Sequence, residues 1–186
     1  MKKKDQLRKK FITLRKRKYF NISNEKLFKL INYIKKKYKT KKNFSIGLYY
    51  PSNCELNIFN IIDNFKKIKV RFLLPKIQDS NVLKFFAWKK NDILIVNRFG
   101  IPEPYNTQKS FLPDILLVPL LAYDTDKNRL GYGKGFYDKY LNNLIKLNKK
   151  TEAIGVAFSF QKYKKLPTSN LDYQLNNIFT EKGFLE

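Results

Sequence analysis

Apolar residues in the N-terminal part of the chain recur every three to four positions. Leu7, Phe11 and Leu14 stand at i, i+4 and i+7 and predict a helix, with Arg8, Arg15 and Arg17 elsewhere around it. After NISN, where Ser23 or Asn24 is placed to cap, Leu27, Leu30, Ile31, Ile34 and Tyr38 repeat the period and predict a second helix. FSIGLYYP then reads as a short buried strand ending at Pro51. CELNIFNIIDNFKK, residues 54–67, reads as a helix with Ile58, Ile61, Ile62 and Phe65 inward, and KVRFLLP as the next strand.

Further along, LKFFAW and DILIVN are separated by the polar break KKN and predict a hairpin, while FGIPEPYNTQKSFLP is too rich in proline for a regular element and predicts a long ordered loop. DILLVPLLAYD is a continuous apolar run of the kind a fully buried strand needs. GFYDKYLNNLIKLNKK reads as a helix and AIGVAFSF as another buried strand. Strands alternating with helices predict an α/β fold with parallel strands. No internal repeat or linker interrupts the chain, so one domain over residues 1–186 is expected.

Charge changes this picture more than composition does. The 39 Lys and Arg outnumber 15 Asp and Glu, giving a formal charge of +24 whose field favours nucleic acid, anionic membranes or phosphate-bearing small molecules. The lysines are spread over every segment instead of forming one stripe, which reads as a compositional bias and not as a nucleic-acid footprint. One cysteine, Cys54, excludes an internal disulfide, and the absence of histidine removes His-dependent triads and most zinc sites. The basic N-terminal segment has no apolar core like that of a signal peptide, and no run approaches membrane-spanning length, so a cytoplasmic protein is expected.

The densest chemistry lies in RLGYGKGFYDKYL, residues 129–141, which holds three of only seven glycines directly behind the long apolar run. A loop between a buried strand and a helix is where α/β proteins bind ligands. Gly131, Gly133 and Gly135 permit positive φ and close approach of a ligand, the amides opening the next helix favour an anion, Arg129 and Lys134 add cationic charge, and Asp138 is an oxygen donor suited to Mg²⁺. The G-x-G-x-G spacing is neither a Walker A loop nor the dinucleotide-binding pattern, so spacing alone leaves a phosphate cradle and a structural turn both open.

The stretch LLVPLLAYDTDKNRLGYGKGFYDKYL resembles the signature of the 5-formyltetrahydrofolate cyclo-ligase family. KDQLRK, YYPSNCE, FGIPEP, AIGVAFSFQ and LPTSNLDYQLNNIFTE are similar to that family's other blocks, in the same order along essentially the whole chain. The resemblance implies a three-layer α/β/α sandwich with a mostly parallel central sheet, similar to the ribose-phosphate isomerase and CoA-transferase type. It implies ATP- and Mg²⁺-dependent cyclisation of 5-formyltetrahydrofolate to 5,10-methenyltetrahydrofolate, releasing ADP and phosphate. In that mechanism the formyl oxygen attacks the γ-phosphate, N10 closes the ring and phosphate leaves.

Carried over residue by residue, the resemblance implies ATP binding by Lys4, Asp5, Gln6, Leu7 and Arg8 and by the loop residues Arg129, Leu130, Gly131, Tyr132, Gly133, Lys134, Gly135, Phe136 and Tyr137. Arg129 and Lys134 take the catalytic role of meeting the transferred charge. Folate binding falls to Tyr50 and Glu55, the latter accepting from the pterin's amino-pyrimidine edge, together with Tyr132, Gly133, Lys134, Gly135 and Phe136. Asp138 and Asp172 are implied as Mg²⁺ ligands. The partners implied are small molecules, ATP and 5-formyltetrahydrofolate with its polyglutamylated forms, with no specific nucleic acid, no membrane and a monomeric state.

The chain departs from the family pattern where Phe136 replaces a usual Tyr, where Leu171 replaces a frequent His, and where Asn57 and Ile58 replace a common acid and Thr. Two other readings stand beside the enzyme: a basic nucleic-acid-binding module using aromatics such as Tyr33, Tyr38 and Trp88, and an inactive relative that binds folate or nucleotide without turnover.

Overall fold

The computed structural model describes residues 2–66, 68–78 and 81–185. Two helices open the chain, α1 (Lys2–Lys18) and α2 (Asn24–Lys37). Ser23 occupies the N-cap position of α2 without a side-chain capping bond, and Leu27, Leu30, Ile31 and Ile34 are buried as their spacing predicts. Strand β1 (Phe44–Gly47) stops short of the expected Pro51. Residues 54–58 are not helical. Asn53 and Cys54 both adopt left-handed backbone (φ 48° and 61°), which breaks any helix entering there, and only a 3-10 turn over Phe59–Phe65 follows. The expected helix end at Lys67 lies outside the described residues.

Strands β2 (Val70–Ile77) and β3 (Leu83–Ala87) form an antiparallel hairpin with each other. LKFFAW and DILIVN are therefore not partners, and the turn at Lys89–Asp92 redirects the chain out of the sheet. Beyond it, β4 (Leu94–Val96) pairs with β5 (Pro102–Pro104), so the segment expected to be a loop contributes a strand. Two prolines in three residues are tolerated because this ribbon has only two strands and each is an edge.

The apolar run splits into β6 (Ile115–Pro119) and β7 (Ala122–Tyr123), and β7 pairs with β8 (Arg129–Leu130). Helix α3 (Phe136–Lys146), β9 (Glu152–Val156), β10 (Asn177–Thr180) and β11 (Gly183–Phe184) complete the order. The main sheet runs β11-β10-β9-β6-β1-β2-β3, parallel from β10 through β2, with antiparallel strands at both edges.

Residues alternate along the strands between two layers. Ile115 and Leu117 join Ile46, Leu48 and Ile154 under α2 and the 3-10 turn, whereas Leu116 and Val118 join Leu73, Phe85 and Ile178 under Tyr140, Leu141 and Leu144 of α3. This is the three-layer α/β/α arrangement. Helix α1 stands apart from both layers and packs Leu7 and Phe11 on Leu121, Ala122, Leu130 and Leu166. Strands β1 and β6 are neighbours from which the chain winds outward in opposite directions, through β2 on one side and through β9 and β10 on the other. Such a switch point opens a crevice at the carboxyl ends of the strands.

Candidate active site

A cavity of about 360 Å³ lies at that crevice. Tyr49 and Tyr50 enter from the end of β1, Pro75 and Ile77 from β2, and Pro119 from β6. Helix α1 contributes Lys4 and Arg8, the loop after β1 contributes Ser52 and Glu55, and the glycine loop contributes every residue from Arg129 to Asp138. Asp172 comes from the C-terminal loop and Asn97, Phe99, Ile101 and Glu103 from the β4–β5 ribbon.

Most residues singled out in the sequence thus line one cavity, though Asp5, Gln6 and Leu7 are not among the lining residues. Asp5 and Gln6 are exposed, and Leu7 is buried in the core beneath α1. Asp5 instead pairs with Arg8 at 2.5 Å.

The glycines divide the work unequally. Gly133 (φ 100°) and Gly135 (φ 68°) use left-handed backbone, whereas Gly131 does not. Gly131 is needed for space, because a Cβ there would meet the Arg129 guanidinium at 2.8 Å. Arg8 donates its Nε to the Gly131 carbonyl at 3.0 Å and lies against Gly133, which ties α1 to the loop. Phe136 packs edge-on against Phe99 with ring centroids 5.9 Å apart, a contact that the ring makes without a hydroxyl.

Each candidate metal carboxylate holds a cation. Arg129, with a side chain only 4% exposed, forms a salt bridge from Nη2 to Asp138 Oδ1 at 2.8 Å, and the same oxygen accepts the Tyr173 amide at 3.1 Å. Arg129 Nε is buried and has no acceptor among the described residues. Lys4 donates to Asp172 Oδ2 at 2.6 Å, and Ser169 adds its amide and hydroxyl to that oxygen. Burial pushes the Asp172 carboxyl up, but the bonds from Lys4 and Ser169 outweigh it and hold the group below its ordinary value. The second oxygen of each carboxylate has no hydrogen-bond partner among the described residues.

Arg15 is the residue that sequence reasoning placed wrongly. It is 1% exposed and lies inside the protein, where Nε donates to the Asn53 carbonyl at 2.9 Å, Nη1 to the Leu120 carbonyl at 3.2 Å and Nη2 to the Tyr132 hydroxyl. Tyr132 in turn donates a hydrogen bond from its hydroxyl to Glu55 Oε1 at 2.8 Å, and Glu55 Oε2 accepts from the Ser52 amide at 2.9 Å. Burial pushes the Glu55 carboxyl up against the opposing pull of Arg15, Ser52 and Tyr132. Burial also raises the Tyr132 hydroxyl, with Glu55 adding to the effect, so that it stays a donor. A sequence signal existed: Arg15 follows Leu7 and Phe11 at the same four-residue interval, on the buried stripe.

Of the aromatics put forward for nucleic-acid stacking, Tyr38 and Trp88 are buried at 8% and 5% exposure and cannot offer a ring face, while Tyr33 is half-buried and donates its hydroxyl to Glu152. Among the described residues no helix is long and apolar enough to cross a membrane.

Comparison with known proteins bears on what such a cavity does. The model of the "5-formyltetrahydrofolate cyclo-ligase family" matches residues 1–181. A 5-formyltetrahydrofolate cyclo-ligase from Haemophilus influenzae is 33% identical over 140 residues, covering 72% of this chain and 74% of the relative. One from Mycoplasma genitalium is 32% identical over 135 residues, covering 72% and 70%. The NMR structure of Aquifex aeolicus 5,10-methenyltetrahydrofolate synthetase superposes with a TM-score of 0.72 at 31% identity, covering 97% of this chain and 91% of that one. The synthetase of Mycoplasma pneumoniae gives 0.67 at 26% identity, covering 96% and 98%.

Proposed function

The chain belongs to the 5-formyltetrahydrofolate cyclo-ligase family, and from that premise we propose that the cavity at the β1/β6 crevice is where it closes 5-formyltetrahydrofolate to 5,10-methenyltetrahydrofolate with ATP. The protein is an ATP-dependent ligase of folate one-carbon chemistry. The formyl oxygen bonds to the γ-phosphorus as the bond to ADP breaks. N10 then attacks the formyl carbon, its proton is lost, and the carbon–oxygen bond breaks to release phosphate. Little covalent work falls to the protein, which positions the reactants and stabilises phosphoryl charge.

The observation that carries this reading is Arg129. A buried guanidinium N–H without an acceptor costs about 1–3 kcal/mol, and here it stands on the glycine loop that lines the cavity, where the lack of a side chain at Gly131 leaves room for the Arg129 guanidinium itself. A triphosphate oxygen is the acceptor that fits it. Lys4 and Arg8, one turn apart on α1, grip the phosphates. Lys134, exposed and without a salt-bridge partner among the described residues, follows the charge that develops on the transferred group. Tyr50, Glu55 and Tyr132 orient the folate, and the apolar part of the lining excludes the water that would hydrolyse an activated formyl group.

Asp138 and Asp172 fit a hard cation, because both line the cavity and each keeps a carboxylate oxygen free of partners among the described residues. Mg²⁺ needs few protein oxygens and retains several waters. Bound there with ATP, it would neutralise charge on the β- and γ-phosphates.

Purified protein given ATP, Mg²⁺ and 5-formyltetrahydrofolate is expected to produce the absorbance of the methenyl product, dependent on both ATP and Mg²⁺. Folded protein that produced none would overturn the reading.

The Tyr132–Glu55 contact yields a pH-dependent expectation. Glu55 titrates above its ordinary value of 4.5, so the associated stability is present below that value and lost as pH rises through the folded-state pKa. Tyr132→Phe removes a donor to the ionised form and is expected to cost about 1–2 kcal/mol near neutral pH. The deficit shrinks as Glu55 becomes protonated. Urea unfolding of both proteins at neutral and acidic pH measures this, and an equal deficit at both would mean that Tyr132 does not act through the Glu55 charge.

A further inference from the structure

We propose that Glu103 is a second carboxylate acceptor for the N–H donor edge of the folate pterin, a specificity-determining residue contributed by the β4–β5 ribbon. The inference rests on the cyclo-ligase reading above.

Glu103 lies in the middle of β5, is only 5% exposed, and lines the cavity. Oε2 accepts the Asn97 side-chain amide at 3.0 Å and the Ile77 backbone amide at 3.4 Å. Oε1 has no hydrogen bond among the described residues, nor does Glu103 pair with any cation among them. A buried carboxylate is ordinarily charge-paired or fully hydrogen-bonded. Glu103 lines the cavity, and its Oε1, with no hydrogen bond among the described residues, is an acceptor open to a donor that enters there.

The surroundings state what it waits for. Phosphate-binding groups enter the cavity from α1, the glycine loop and the C-terminal loop, whereas Pro75, Ile77, Leu83, Phe99 and Ile101 enter from β2, β3 and the ribbon that carries Glu103. An apolar and aromatic wall with one free carboxylate oxygen suits a flat heterocycle that presents N–H donors. The amino-pyrimidinone edge of the pterin presents two adjacent ones, N3–H and the 2-amino group. Glu55 is less free to take both, because Tyr132 already donates to its Oε1 and Ser52 to its Oε2.

A competing role is purely architectural: Glu103 fastens the ribbon to β2 through Ile77. Glu103→Gln separates the two. The glutamine oxygen retains both structural bonds, while its NH2 takes the place of Oε1, the oxygen proposed to meet the pterin, and turns an acceptor into a donor. The expected result is a rise of about tenfold or more in KM and Kd for 5-formyltetrahydrofolate, with KM for ATP and the melting temperature close to wild type. Glu103→Asp, which withdraws the charge by one methylene, is expected to give the same folate-selective loss. On the ligand side, a 2-desamino analogue of 5-formyltetrahydrofolate should lose affinity for wild type and lose much less additional affinity for Glu103→Gln. Folate KM within twofold of wild type in both variants, or a parallel rise in KM for ATP, overturns the proposal. Wild-type protein inactive in the methenyl assay would instead overturn the cyclo-ligase reading on which it stands.

Discussion

Replacing Lys134 by alanine is expected to lower kcat/KM about 10²- to 10³-fold while leaving the fold intact. The physical basis is a separation of roles within the glycine loop. Lys4 is engaged by Asp172, Arg8 by Asp5 and the Gly131 carbonyl, and Arg129 by Asp138. Lys134 is exposed and makes no such contact among the described residues, so its truncation removes no buried group and little native-state energy. Its charge matters only once a triphosphate occupies the cavity, most of all as charge accumulates on the transferred phosphoryl group. The loss should therefore fall on kcat more than on folate affinity, and Lys134→Arg should restore part of it. Steady-state kinetics with a urea titration of each variant makes the measurement. Activity within threefold of wild type, or a matching fall in stability, would remove Lys134 from the chemistry.

How far the sequence exposes this arrangement depends on the range of the interactions involved. Local periodicity was enough for α2, whose buried residues follow from spacing alone. It was not enough for pairing. LKFFAW has the alternation of a strand, but the preference for β2 over DILIVN is a matter of register and of the turn at Lys89–Asp92, neither of which alternation encodes. Residues 54–58 read as helix because leucine and isoleucine recur there, while two consecutive left-handed residues at Asn53 and Cys54 decide otherwise. That break is also what delivers Glu55 to the cavity, with its amide bonded back to the Ser52 carbonyl at 2.9 Å.

Two of the charged residues that sequence reasoning missed share one cause. Arg15 and Glu103 are charged side chains at buried positions, and a hydropathy pattern assigns such residues to solvent. Arg15 is placed by partners at 38, 105 and 117 residues' remove, and Glu103 by a ribbon that the proline content of FGIPEP disguised as loop. The glycine loop was legible because its chemistry is contiguous. The groups that complete the cavity around it are not, and Lys4 meets Asp172 only because α1 packs across β7 and β8.

Asp138→Asn should give the most damaging single change at the site, since two functions meet on one carboxylate. One oxygen holds Arg129 at 2.8 Å and the Tyr173 amide at 3.1 Å, and the other is proposed to face Mg²⁺. Asparagine keeps an oxygen for the Tyr173 amide but removes the charge from both relationships. Leaving the Arg129 guanidinium buried without its counter-ion is expected to cost about 1–3 kcal/mol, below the figure for a fully buried pair because the Asp138 side chain is 20% exposed. Turnover should fall by about three orders of magnitude or more, as metal-held charge neutralisation and the placement of Arg129 fail together. The metal arm has its own readout: half-maximal activity should require a higher Mg²⁺ concentration in Asp138→Asn, and likewise in Asp172→Asn, where Lys4 is released instead. A variant with lower stability but an unchanged Mg²⁺ requirement would make Asp138 the anchor of Arg129 alone. If Asp172→Asn still shifted the requirement, the cation would then lean on the C-terminal carboxylate, and the glycine loop would act on phosphate solely through its cations and amides.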